Sequence, residues 1–188
     1  VLFTTEASVD ELKQTILQLA VMGKLVPQDT NDEPASVLLE KIAVEKARLV
    51  KEGKIKKQRV LLPITETEMI SELPDGWEYC RLGELSERVS VGHVGNTSQY
   101  YCSKGEGIMF LRSGNVKPGR IQLGGVRYIT RQFHDKLKKS QLKPHDLLVV
   151  RVGANRGDTC LAPDDIEKLN CANIVFARPM MDTHQYLQ

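Results

Sequence analysis

Thirteen lysines and arginines lie between Arg88 and Arg156 against three acids, Glu106, Asp135 and Asp146, a surplus of ten that the whole-chain charge of +2 hides. A concentrated basic surface attracts polyanions. Here the bases are interleaved with side chains that can pair with base edges. One set spans Arg88 to Lys104 and offers Arg88, Asn96, Thr97, Gln99, Tyr100, Tyr101 and Lys104 on a loop framed by Gly92, Gly95 and Gly105. A second comprises Arg112, Ser113, Asn115, Lys117 and Arg120, directly after the apolar run Ile108–Leu111. A third, Arg151, Asn155 and Arg156, follows the run Leu147–Val150 in a glycine-flanked loop. Asparagine and glutamine can pair bidentately with adenine, and arginine with guanine. Loops anchored on strands hold side chains more firmly than free loops, so the second and third sets are the stronger candidates. Lys136, Lys138 and Lys139 lie on an expected helix without amide neighbours, which suits phosphate contact. A solvated charged face would have the same composition.

Catalytic chemistry finds no comparable set. There is no glycine-rich dinucleotide or P-loop fingerprint and no deaminase signature. No Ser-His-Asp arrangement comes with a supporting context. Cys80, Cys102, Cys160 and Cys171 form no CxxC pair, and the four histidines are scattered, so no metal-ligand spacing arises. Widely spaced cysteines fit a reduced, cytoplasmic protein. No apolar run approaches the roughly 18 residues that span a bilayer, and no signal peptide opens the chain.

These candidates need a scaffold, and the pattern predicts an α+β fold. In residues 1–60 two helices form a coiled-coil-like arm. Ser8 and Glu11 make a capping box, Leu12, Ile16, Leu19 and Ala20 form one stripe, and Gly23 stops the helix. Pro34 opens the second helix at its first turn, Leu38, Leu39, Ile42, Ala43, Leu49 and Val50 mark its apolar face, and Gly53 ends it. Neither helix has a core of its own, so each stripe must be buried against the other, a second copy or another subunit, the bland alternative being the chain's own domain. Residues 61–74 read as a linker. Residues 75–188 turn mostly β, with strands expected at Ile108–Leu111, Arg120–Leu123, Val126–Ile129, Asp146–Val152 and Asn173–Ala177, and a helix over Arg131–Lys139 capped by Thr130.

Several segments, in order, resemble the specificity subunits of type I restriction–modification systems. They are Leu12–Gln28, Asp32–Ser36 followed by Leu38–Ile42, Leu73–Glu78 followed by Arg81–Leu85, Phe110–Val116, and Leu142–Leu148. The resemblance implies a helical spacer followed by a target recognition domain. It implies a non-catalytic adaptor that reads one half of a bipartite double-stranded DNA target and docks modification and restriction subunits. No cofactor is expected in this chain; S-adenosylmethionine, ATP and Mg belong to the partners. The absence of a methyltransferase Asn/Asp-Pro-Pro-aromatic motif fits that division. Trp77 would be a packing anchor at the start of the recognition domain. A homodimer of this segment through helices 9–22 and 34–52 is expected. Where the family often has glycine before the aspartate, this chain has His145, so the turn there is expected to differ. The recognition domain is expected to be cut before its end at Gln188. The reading from another class is an assembly protein whose arm oligomerises and whose basic domain binds an acidic partner.

Overall fold

The structure, a computed structural model, describes residues 5–69 and 72–187. The arm consists of α1, Glu6–Val21, and α2, Ala35–Lys51. The capping box exists but sits one turn earlier than the sequence suggested. Thr5 is the N-cap, its hydroxyl accepting from the Ser8 amide at 3.2 Å, and Ser8 occupies the third helical position. Either hydroxyl could satisfy orphan amides; Thr5 wins because the helix gains a turn. Pro34 likewise stands just outside α2. Gly23 and Gly53 end the helices with φ of +65° and +69°, a conformation glycine adopts without strain.

The two stripes have different fates. Ile42 of α2 is 1% exposed. No residue of α1 is buried, and Leu12, Ile16, Leu17 and Val21 stand open to solvent. α2 and the segment after it are tied to the β-rich part of the chain. Lys46 Nζ donates to the Gly83 carbonyl at 2.7 Å and to Gln58 Oε1 at 3.1 Å. Gln58 Nε2 donates to the carbonyls of Ser86 and Glu87. Arg81 forks onto Glu68 and also donates to the carbonyls of Leu62 and Pro63. Trp77 is 42% exposed, yet its indole donates to Gln28 Oε1 at 2.8 Å and its ring lies against Gly23, so it anchors the α1–α2 loop to the start of the domain.

The β-rich part contains, in order, β1 Ser86–Val91, β2 Tyr101–Cys102, β3 Ile108–Leu111, β4 Val116–Lys117, β5 Arg120–Ile121, β6 Arg127–Ile129, α3 Arg131–Lys136, β7 Gln141–Leu142, β8 Leu147–Val150, β9 Thr159–Leu161, β10 Leu169–Cys171, β11 Ile174–Pro179 and α4 His184–Leu187. One antiparallel sheet has the order β1-β11-β8-β9. A second, mixed sheet has the order β2-β6-β3-β10-β7, with β3 and β10 parallel. β4 and β5 form a separate hairpin. The α+β expectation thus holds.

Three local expectations shift. The expected helix over Arg131–Lys139 closes at Lys136 and gives way to a 3-10 turn over Lys138–Ser140. Gln122 and Leu123 leave the strand because the Gln122 backbone turns back onto Asn115. Asn173 precedes β11 rather than starting it, with φ +57°.

The two sheets bury a common aliphatic core that includes Leu111, Val116, Leu148, Val150, Ile174 and Phe176, all at most 1% exposed. Burying each such side chain contributes about 1.5–3 kcal/mol. A smaller cluster, Ile108, Phe110, Ile129, Phe133 and Ala172, takes in Tyr100, Tyr101 and Leu137.

A buried ion pair joins the start of β8 to the end of β11 within the antiparallel sheet, and its arginine reaches across to the mixed sheet. Asp146, fully buried, accepts from Arg178 Nε and a terminal nitrogen, both at 2.8 Å, while Arg178 also donates to the Gln141 carbonyl of β7 at 3.3 Å. The other Asp146 oxygen interaction caps the Lys143 amide at 2.8 Å. Burial alone would lower the Arg178 pKa, but Asp146 and Glu87 outweigh it and hold the guanidinium above its ordinary value. The turn before Asp146 is left-handed, with His145 at φ +63°. A histidine therefore occupies a conformation that glycine would adopt without strain.

Candidate nucleic-acid interface

The pairing registers decide which loops meet. Val150 closes β8 opposite Ile174, where β11 opens, and Val91 closes β1 opposite Val175. Leu111 closes β3 opposite Cys171, where β10 ends. Four chain segments therefore emerge at one end of the two sheets: 92–96, 112–115, 151–158 and the joint 172–173. Backbone bonds lock them together. His93 N donates to the Cys171 carbonyl at 2.8 Å, Ala172 N to Leu111 at 2.9 Å, Asn173 N to His93 at 3.1 Å and Gly92 N to Ile174 at 2.8 Å. Gly92 is required here, since a Cβ would lie 2.6 Å from Cys171 Sγ and 2.7 Å from its carbonyl oxygen. The β4–β5 hairpin leans on the same end through Gly119 N, which donates to Thr159 at 2.8 Å.

Among the residues expected to read DNA, this end gathers Arg112, Ser113, Arg151, Asn155 and Arg156, with Lys117 and Arg120 on the adjoining hairpin. Arg151, Arg156 and Arg120 are exposed. The 151–158 loop is a tight hairpin: Gly157 N donates to Val150 at 2.9 Å and Arg156 N to Gly153 at 3.2 Å, with Gly153 and Gly157 both at φ +98°. Arg112 is half-buried and donates to the Gly125 carbonyl at 3.2 Å, so part of its guanidinium is occupied.

The other candidates are placed elsewhere or held by the fold. Arg88 is not on a loop but within β1. Its guanidinium stacks over the Phe176 ring at 4.9 Å and donates to the Lys139 carbonyl. Burial, and then the neighbouring Arg178 charge, lower its pKa. Thr97 is buried, sharing a 2.9 Å hydrogen bond with the Tyr101 hydroxyl. Tyr100 stacks on Phe133 at 3.7 Å, and Arg127 covers Tyr101 at 5.8 Å, so neither ring is a free platform for a base. Asn115 is 3% exposed; its oxygen accepts from the Arg112 amide and its nitrogen donates to Gln122. It shapes the loop that carries Arg112. Asn96 accepts from Ser98 in a local turn, at the start of its loop. Gln99 and Lys104 are exposed but lie with Tyr101 toward the Ile108 end of β3, away from Arg112.

All four cysteines are free, and burial pushes Cys160 up to about 11 and Cys171 up to about 12. Among the described residues no His/Cys/Asp/Glu group is arranged to hold a metal, and no helix is long and apolar enough to cross a membrane.

No family model matches the chain. Over 148 residues it is 51% identical to the Escherichia coli type I restriction enzyme EcoAI specificity subunit, covering 79% of this chain and 24% of that protein. It is 48% identical over 174 residues to the EcoEI specificity subunit of the same organism, covering 89% of this chain and 28% of that protein. The chain is related to type I restriction enzyme specificity subunits. It spans about a quarter of the length of these curated relatives. Among solved structures, an HsdS subunit from Thermoanaerobacter tengcongensis matches 96% of this chain and 37% of its own, at 16% identity and TM-score 0.47. A chain from a type I R-M system matches 96% of this chain and 39% of its own, at 18% identity and TM-score 0.41.

Sequence reasoning missed three residues on which this fold depends. Arg178 lies outside the basic segment, and nothing local marks its pairing with Asp146. Gly92 looked like one more loop glycine. Asn173 was absorbed into a strand, although an asparagine just before an apolar run is also a turn signal.

Proposed function

We propose that this chain supplies sequence recognition to a type I restriction–modification complex, reading one half of a bipartite DNA target. The observation that carries this reading is the convergence of loops from both sheets at one end, bearing exposed Arg120, Arg151 and Arg156 beside polar side chains. Phosphate contacts from such arginines position a protein on DNA; base contacts from neighbouring side chains specify the sequence. Arg151 and Arg156 are the lead readers, Arg112 contributes through its loop, and Lys136, Lys138 and Lys139 contact phosphate. The chain acts without catalysis of its own: modification and restriction subunits bring S-adenosylmethionine, ATP and Mg in the cytoplasm. The bare stripe of α1 supports a second role, docking a partner helix from another subunit or from a second copy.

The test is methylome sequencing of a host carrying the complete system, with this segment exchanged for that of another system. One half of the methylated motif should change and the other should stay. An unchanged motif after exchange would remove the reading.

A further inference from the structure

We propose that Asn173 is a specificity-determining residue that reads an adenine in the major groove; this rests on the DNA-reading role proposed above. Asn173 sits where β10 of one sheet passes into β11 of the other. Its backbone is fixed on every side. Its own amide donates to His93 at 3.1 Å, Ala172 before it donates to Leu111 at 2.9 Å, and Ile174 after it accepts from Gly92 at 2.8 Å and pairs with Val150. It thus stands among the segments that carry Arg112, Arg151 and the 92–96 loop.

The side chain on this rigid frame is exposed and makes no hydrogen bond among the described residues. Three other asparagines of the domain have internal side-chain partners, while Asn155, on the tight 151–158 hairpin, is less exposed than Asn173. Asn96 holds Ser98, Asn115 joins Arg112 to Gln122, and Asn170 is buried against His134 and the Cys171 amide. A primary amide presents one acceptor and two donors, which match the N6–H and N7 of adenine. A reader must be held within a fraction of an ångström of its target, and a joint locked by two sheets does that.

The competing explanation is turn chemistry. Asn173 has φ +57°, and asparagine tolerates that region better than most residues. Glycine would satisfy the turn with less strain, whereas only the amide supplies the pairing. That difference separates the two explanations.

The experiment uses the complete subunit assembled with its modification partner. The probes are a duplex bearing the methylated motif found in vivo, versions with each A·T pair of the half-site changed to G·C, and a scrambled duplex. Asn173→Gly should keep the melting temperature and the affinity for scrambled DNA. It should lose about 5- to 150-fold in affinity for the motif, the range that one bidentate base contact confers, and become tolerant at one A·T position. Asn173→Asp, which keeps the shape and the turn but loses the donor, should show the same tolerance even where the glycine variant is less stable. Full discrimination at every A·T position in both variants would overturn the inference while leaving the DNA-reading role standing. Equal binding of motif and scrambled duplexes by the unmodified complex would overturn that role itself, and this inference with it.

Discussion

Replacing Asp146 by asparagine tests the buried ion pair between the start of β8 and the end of β11. The perturbation keeps the shape and removes the charge. Both partners are buried: Asp146 is 0% and Arg178 9% exposed. At about 4 Å between charge centres and an effective dielectric near 20, the attraction is about 4 kcal/mol. Desolvating both groups offsets much of it, so the intact pair adds little over a well-packed apolar pair. Removing one partner is different, because it leaves the other charge buried. That costs about 3–5 kcal/mol in general. Arg178 retains Gln141 at 3.3 Å and Glu87 at 3.7 Å, and asparagine can still accept from Lys143, so the low end, about 3 kcal/mol, is expected here. For a chain of this size the melting temperature should fall by about 6–12 °C. Urea unfolding followed by circular dichroism measures the loss, and the double variant Asp146→Leu with Arg178→Met should be more stable than Asp146→Asn alone. A loss below about 1 kcal/mol, or a double variant worse than the single, would refute the claim that this pair is a buried ion pair tying β8 to β11.

Three further outcomes follow from the same structure. Gly92→Ala should destabilise the chain by about 1–3 kcal/mol, because the new methyl overlaps Cys171; an unchanged denaturation midpoint would show that the loop joint is loose. Burial lowers the His134 pKa below its usual 6.5, so its contribution is complete above pH 6.5 and declines as pH falls from 6.5 through the folded value. His134→Gln should flatten the melting-temperature profile between pH 7.5 and 5, and parallel profiles for the two proteins would contradict it. The bare stripe of α1 is expected to make the chain self-associate at tens of micromolar, and Ile16→Glu should abolish this in sedimentation while leaving the fold intact; a monomeric unmodified chain, or an unchanged mass distribution in the variant, would count against the stripe as an assembly surface.

Periodicity alone revealed much of the secondary structure. The amphipathic spacing of α1 and α2 is a local property, and so are the glycines that end them. The apolar runs of β3, β8 and β11 stand out because each is buried on both faces of its strand or nearly so. Two-residue strands such as β2, β4 and β7 carry no such pattern, since their place is set by partners far along the chain.

The sequence by itself determined the local charge, the residue types able to read DNA, the helical arm and the order of segments that marks the specificity-subunit relationship. Each depends on neighbours within a few positions, so each is written in the linear order. Tertiary structure alone decided which candidates share a surface. The register of β3 against β10 and of β8 against β11 brings Arg112, Arg151, Arg156 and Asn173 to one end of the sheets. The same packing draws Arg88, Thr97, Tyr100 and Asn115 into internal contacts. Strand pairing joins residues up to 93 positions apart, from Ser86 to Pro179, and no local pattern encodes that choice. The physical reason is that burial rewards whichever distant surfaces fit together, while charge and polarity only state what each residue offers once it arrives.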